Sequence, residues 1–404
     1  MIKTNAAWKR IAIDPYHHTT FELTVDGQTI PPTRIALSPE ITSALYTDRW
    51  SVGNVASSCL TVTYLPDPEI ARPKRAAKVQ MRCTIWPRDG DWVLADESGQ
   101  PIVTESGQEI WLMDTQTITI GTWYINTRAT DTRGWVTLTC YDKMLRLNKY
   151  TVKKAAKKYG VKLTYPVDMF QVIALAEKVT GLAEPSEPYL EDACGLEFTK
   201  DDVTELTMRE ALGYVAAANG ANLAANADGT AMVALYYGFY NADAPYIYTT
   251  QDDTHELVDE AGEYIVYYDE DSASMFLEPS HMAELDLGET LPEVTAVEVS
   301  GPDDDATWTA TAEGATKTGT TYTIDWPLSC GSQQVANQMI AAIGYFAYTP
   351  WDARSVLLDP SVQVGDVVIV DGVETVISEI TATCGGTYVA DCGAAGDYAA
   401  AEEL

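Results

Sequence analysis

The residues able to ligate a metal, or to act as nucleophile and base, are few and far apart. His17 and His18 are adjacent but have no third ligand near them, and His255 and His281 stand alone. The cysteines, Cys59, Cys83, Cys140, Cys194, Cys330, Cys384 and Cys392, are scattered singly. A zinc site wants two close pairs or a mixed Cys/His cluster, so buried reduced thiols acting as small hydrophobes are expected instead. The sequence has no HExxH helix, EF-hand loop, GxSxG, Walker sequence or GxGxxG. Asp303-Asp304-Asp305 follows the turn Gly301-Pro302 and could hold calcium loosely, but a solvated acidic loop is the simpler expectation. Carboxylates are so abundant that no pair stands out. No catalytic, cofactor-binding or metal-ligating residue is expected, and the chain does not read as an enzyme.

One cluster has a different character. Between about 143 and 162 lie Lys143, Arg146, Lys149, Lys153, Lys154, Lys157, Lys158 and Lys162. Such a stretch either contacts phosphate or an acidic partner protein, or is a solvated linker and helix face, which is the commoner case. An acidic neighbouring subunit is the serious competitor. Lys153, Lys154, Lys157 and Lys158 are the candidate interface cations.

The charge around this cluster is lopsided. The 404 residues carry 26 Lys+Arg against 59 Asp+Glu, a formal charge of −33. Residues 1–165 are +5 and the remainder −38, so the two parts should meet different neighbours. The overall acidity argues against a nucleic-acid binder or an anionic-membrane binder. No uncharged apolar run is long enough to span a bilayer, and the N-terminus lacks a long apolar signal core. Folding in a cytoplasm is expected. With 46% apolar and 21% charged residues over this length, two to four globular domains are expected.

The elements that must position these residues are mainly β with an α+β insertion. Residues 1–145 alternate as strands, with Phe21–Val25 running into the turn Asp26-Gly27 and with Leu60–Tyr64, Trp123–Ile125 and Trp135–Tyr141 following. A short duplication, Glu97-Ser-Gly-Gln followed by Glu105-Ser-Gly-Gln, predicts an inserted hairpin over about 86–114. A basic linker and α+β unit should occupy 146–240. There Asp168 and Gln171 form a capping pattern with Gly181 as the stop, and Thr207 and Glu210 form a capping box before a helix ending at Gly220. A hairpin turning at Asp228-Gly229 follows. Residues 241–293 form an acidic, Tyr-rich accessory segment. A second β domain should span 294–393, with a strand over Tyr322–Trp326, a helix capped by Ser332 and ended by Gly344, and a hairpin at Asp371-Gly372. Residues 394–404 are small, acidic and expected to fray.

Three segments together resemble the tail hub family of long-tailed bacteriophages, which includes the N-terminal hub portion of siphophage tail-associated proteins and the baseplate hub of contractile tails. Gly121-Thr-Trp-Tyr-Ile-Asn-Thr-Arg128 with Trp135-Val-Thr-Leu-Thr-Cys-Tyr-Asp-Lys-Met-Leu145 is similar to the family's "G-x-(F/W)-(Y/F)-I" and "L-T-x-Y-D-x-M-L" strand pair. Leu206 to Gly220, with the Asp228-Gly229 turn, resembles the helix and hairpin of its inserted domain. Tyr348-Thr-Pro-Trp-Asp-Ala-Arg354, Leu358-Asp-Pro360 and Val364 to Gly372 resemble its second tube-like barrel. The succession, from about 120 to 380, is in the family's order.

The resemblance implies two β-barrels like tail-tube subunits, an α+β unit between them and an accessory segment alongside. It implies a homotrimer whose six barrels join a sixfold tube to a threefold tip, because a threefold ring matches a sixfold one if each chain repeats the docking unit. The implied partners are further copies of the chain, the tail tube or distal tail protein, tail-tip or fibre proteins and the tape measure protein. Genome DNA would pass without specific binding, with no membrane insertion and no cofactor. The implied location is the virion tail tip, after assembly in the host cytoplasm. Larger family members continue into a peptidoglycan hydrolase or fibre region, which a chain ending at Leu404 is expected to lack. The competing classes are a tail-associated cell-wall hydrolase and a glycan-binding tail-tip protein, the latter drawing on 10 Trp and 23 Tyr for sugar stacking.

Overall fold

The computed structural model describes residues 17–36, 38–46, 50–67, 73–86, 116–185, 195–236, 246–247, 266–267, 275–301, 306–315, 319–324 and 331–396, together with positions 2, 4, 8, 11 and 12. Almost all of the expected hairpin at 86–114, most of 241–274, Asp303 to Asp305, His255, Cys194, Cys330 and the last residues of the tail lie outside them.

The fold is mainly β. The first region supplies β1 (His18–Val25), β2 (Gln28–Ile30), β3 (Glu40–Ala44), β4 (Cys59–Tyr64), β5 (Lys78–Trp86), β6 (Thr117–Thr130) and β7 (Val136–Tyr141). These strands alternate as a half-buried sheet should: Val79, Met81, Cys83 and Ile85 of β5 point inward, as do Leu60, Val62 and Tyr64 of β4. Asp26-Gly27 makes the β1–β2 turn with both residues at positive φ.

The insertion follows as α1 (Val152–Tyr159), β8 (Val167–Asp168), α2 (Met169–Thr180), β9 (Glu197–Phe198), a single helical turn at Asp202–Glu205, α3 (Met208–Ala218), β10 (Ala221–Ala225) and β11 (Met232–Tyr236). Its punctuation matches the sequence. Asp168 accepts from the Gln171 amide at 2.8 Å, and Gly181 ends α2 in the left-handed conformation. The capping box is closed on both sides, from Glu210 N–H to Thr207 and from Thr207 N–H to Glu210. Val172, Leu175, Leu212 and Val215 are fully buried between the helices.

The remainder comprises β12 (Tyr246–Ile247), β13 (Val266–Tyr267), β14 (Met275–Leu277), β15 (Glu284–Leu287), β16 (Val294–Ser300), β17 (Thr307–Thr311), β18 (Thr320–Thr323), α4 (Gln333–Ile343), β19 (Trp351–Leu357), β20 (Val367–Val370), β21 (Val373–Val376), β22 (Glu379–Cys384) and β23 (Tyr388–Ala394). β16, β17 and β18 form a small sheet carrying α4, which Ser332 caps at the Val335 amide. β20 and β21 turn at Asp371-Gly372, and β20 pairs in parallel with β14. The strand expected over Tyr322–Trp326 runs instead over Thr320–Thr323, with Ile324 already outside it and Trp326 outside the described residues. Ala394, placed in the tail by sequence, is buried at the end of β23 opposite Trp351.

The largest sheet runs β15-β19-β23-β22-β3-β4-β7-β6-β5-β1-β2 and contains strands from both β regions. The join is the antiparallel pair β3–β22, from Glu40 opposite Thr383 to Ala44 opposite Glu379. Among the described residues no sheet closes on itself by strand pairing. The large sheet nevertheless curls back: the Thr19 amide of β1 donates to the Gly386 carbonyl between β22 and β23, and Phe21 lies 6.1 Å from the ring of Tyr388.

The connection between β3 and β4 is the joint of the molecule. Its backbone runs beside β10, with Gly53 N donating to Ala221 O, Leu223 N to Asn54 O and Ala56 N to Leu223 O. Fully buried Asn222 supplements this by accepting from the Asn54 amide and donating to Ser51 O. On the other side Trp50 packs 5.0 Å from both Tyr322 and Phe346, and the Tyr322 hydroxyl accepts from the Val52 amide. One loop thus fixes the insertion and the β16–β18 unit to the main sheet.

Candidate interaction surface

The basic segment starts from a buried carboxylate. Asp142 follows β7 and caps the 3₁₀ turn Lys143–Lys149 by accepting from the Met144 amide at 2.9 Å. It also accepts from Ser58 N and Ser57 Oγ at 2.7 Å and from Ser58 Oγ at 3.0 Å. Burial raises its pKa, and these donors partly oppose the rise. With its oxygens so engaged, Asp142 acts as a clamp and not as a base. Ser58 Oγ accepts in turn from Trp123 Nε1 at 3.0 Å. The Trp123 ring covers Gly121, where any Cβ would lie 2.0 Å from a ring carbon, so the motif's glycine makes room for its tryptophan.

Six of the eight cations fall into two groups, while Lys149 and Lys162 are exposed outside both. Lys143 and Arg146 fold back onto the protein: Lys143 Nζ donates to the carbonyls of Gly181 and Gly229, and Arg146 donates to that of Thr180. Both lie over the Tyr124 ring, 5.8 and 5.1 Å from its centroid. They neutralise the carbonyl end of α2, where a helix carries partial negative charge. Burial is the main cause that lowers the Lys143 pKa, with Arg146 and Lys78 adding to it.

Lys153, Lys154, Lys157 and Lys158 point outward on α1, opposite its buried residues Val152, Ala155 and Ala156. The spacing alone does this, since positions 153, 154, 157 and 158 fall within one arc of a helix. Lys158 Nζ donates to the Tyr150 hydroxyl at 2.6 Å and lies 4.5 Å above its ring, a contact that lowers the Tyr150 pKa and raises that of Lys158. Lys153 donates to Thr204 Oγ1. None of the four has a carboxylate partner among the described residues. Exposed aromatic side chains lie at the end of α1 (Tyr159), in the connection that follows it (Tyr165) and in the first turn of α2 (Phe170).

No disulfide joins the described thiols, of which Cys59 is half-buried and the other four are buried. Burial pushes Cys140 and Cys392 up to about 12, and Cys83 and Cys384 higher still. His281 sits in a surface 3₁₀ turn. Among the described residues no group of His, Cys, Asp or Glu is arranged to hold a metal, and no helix is long and apolar enough to cross a membrane.

The sequence reading missed an acidic edge. β15 ends the large sheet, with Glu284 and Asp286 exposed, and Asp286 stands directly opposite exposed Asp352 of β19. The alternation Glu-Leu-Asp-Leu was the available signal, but its neighbour in the sheet lies far along the chain.

No family model matches the chain, and no curated protein matches it. Among solved structures it is similar to the 43 kDa tail protein of prophage MuSo2 from Shewanella oneidensis, with 12% identity, coverage of 92% of this chain and 97% of that one, and a TM-score of 0.43. A tail protein from Neisseria meningitidis MC58 matches at 11% identity over 94% of this chain and 98% of the other, also with a TM-score of 0.43. Prophage tail protein gp18 from Listeria monocytogenes EGD-e matches at 11% identity over 92% and 94%, with the same TM-score.

Proposed function

We propose that this chain is a structural protein of a bacteriophage tail, a tip or baseplate hub that closes the tail tube, adapts sixfold to threefold symmetry and lets DNA pass. The supporting observation is where the family-like motif residues fall. Gly121, Trp123 and Asp142 build the clamp on Ser58, the Leu206–Gly220 helix and its hairpin bind the β3–β4 connection, and Trp351 donates to the Val376 carbonyl beside the β20–β21 hairpin. Residues of such motifs at the joints of the fold suit a part whose work is to hold shape. In this reading the β regions at the two ends of the chain take the places of two tube-like barrels, three copies form a ring, and the partners are the tail tube, the tape measure protein and tip or fibre proteins. The outward lysines of α1 face an acidic protein surface in the assembled tail.

Negative-stain microscopy of the purified protein tests this, with a threefold ring around an axial hole as the expected image. Maps of assembled particles with six copies, or one, around the tail axis would overturn it. A cleared zymogram on purified cell wall would favour a hydrolase instead.

A further inference from the structure

Among the described residues, two surfaces of opposite sign each gather like charges. On α1, Lys153 and Lys157, and Lys154 and Lys158, are like-charge pairs one turn apart, and Lys153 and Lys154 sit in the first turn, where the helix dipole already repels cations. At the far edge of the large sheet, Asp286 and Asp352 are directly opposite across β15–β19, and like charges in that register are destabilising. Arg354, 3.6 Å from Glu284 and 3.9 Å from Asp352, is the one cation paired with this edge among the described residues. Glu289 is exposed just beyond β15.

We propose that these surfaces meet between copies: the lysine face of α1 on one subunit docks against the acidic β15–β19 edge, Glu284, Asp286 and Asp352, of the next. The inference rests on the ring reading, since it names the contact that would build the ring. Each surface relieves the other's repulsion. Each subunit carries one patch of each sign, so the contact can repeat head-to-tail from copy to copy, the kind that closes into a ring when the rotation per subunit allows. It also covers the outer edge of β15, which no described strand pairs. Duplex DNA is the weaker candidate for the lysines, given a net charge of −33 on the chain that carries them.

The experiment uses the full chain. Isotope-labelled and unlabelled copies are mixed at high concentration and low salt, joined with a zero-length carbodiimide reagent, and digested. Mixed-isotope peptides linking Lys153, Lys154, Lys157 or Lys158 to Glu284, Asp286 or Asp352 are expected. Links confined within one chain, links to other acids only, or a chain that stays monomeric overturn the proposal. In parallel, Lys153→Glu, Lys154→Glu, Lys157→Glu and Lys158→Glu combined should weaken self-association on the order of tenfold, as should Asp286→Lys with Asp352→Lys. Mixing the two variants should restore association. The Lys→Gln set, which keeps the helix, guards against misfolding as the cause. Duplex DNA retained by the native chain and lost by the Lys→Glu set assigns the lysines to nucleic acid and overturns the proposal. A threefold ring that forms unchanged from both reversed variants removes this contact but leaves the hub; a single copy per particle removes the hub itself.

Discussion

Ser58 and Asp142 lock the β3–β4 connection onto the start of the basic segment: the Ser58 amide and hydroxyl both donate to the Asp142 carboxylate, at 2.7 and 3.0 Å. Asp142→Ala leaves these groups and the Met144 amide without an acceptor in a buried place. The expected loss is about 3 kcal/mol in urea denaturation, with Asp142→Asn intermediate. A loss below ~0.5 kcal/mol would show that the clamp is dispensable.

Gly121→Ala drives a methyl into the Trp123 ring. Overpacking of this kind costs about 1–3 kcal/mol, and trimming the partner should recover part of it. The double variant with Trp123→Leu is therefore expected to be less destabilised than the sum of the single changes. Strict additivity in that cycle would mean that the ring moves aside freely.

Lys143→Met and Arg146→Met remove the cations from the carbonyl end of α2. Each should lower stability by about 1–2 kcal/mol. Hydrogen exchange should speed up first in the last turn of α2, around Val179 and Thr180, and uniform exchange across the helix would count against this role.

Cys140 and Cys392 are held at about 12 against an ordinary 9.0, chiefly by burial. A raised folded-state pKa contributes stability that is fully present below pH 9 and is lost as pH climbs toward 12, since the unfolded chain ionises first. The loss per thiol is on the order of 4 kcal/mol at the upper end of that window. Cys392→Ala should flatten the stability profile above pH 9 relative to the native chain. Two parallel profiles would acquit this thiol.

In an assembled tail, the excess acid after residue 165, −38 in net charge, is expected to line part of the axial channel. Duplex DNA carries about one negative charge per ~1.7 Å of axis, so cationic walls would hold it through counterion release while acidic walls keep it centred and sliding. A particle structure in which the residues facing the axis are mainly neutral or basic would leave the acid only a role in solubility.

What the sequence determined by itself was local. Asp168 with Gly181, Thr207 with Glu210, and the turns at Asp26-Gly27, Asp228-Gly229 and Asp371-Gly372 were legible because each depends on atoms three or four residues apart. The outward face of Lys153, Lys154, Lys157 and Lys158 was legible for the same reason, given a helix. Tertiary structure alone decided that Lys143 and Arg146 fold back onto the protein, since the carbonyls they cap belong to a helix end and a hairpin further along the chain. It alone decided that β3 pairs with β22 and that Asp286 faces Asp352. Backbone hydrogen bonds are the same for every alternating strand, so the pattern of one strand does not name its neighbour. The choice falls to the joint packing of distant residues, such as Trp50 with Tyr322, or Trp8 donating to Asp359 across 351 positions of chain.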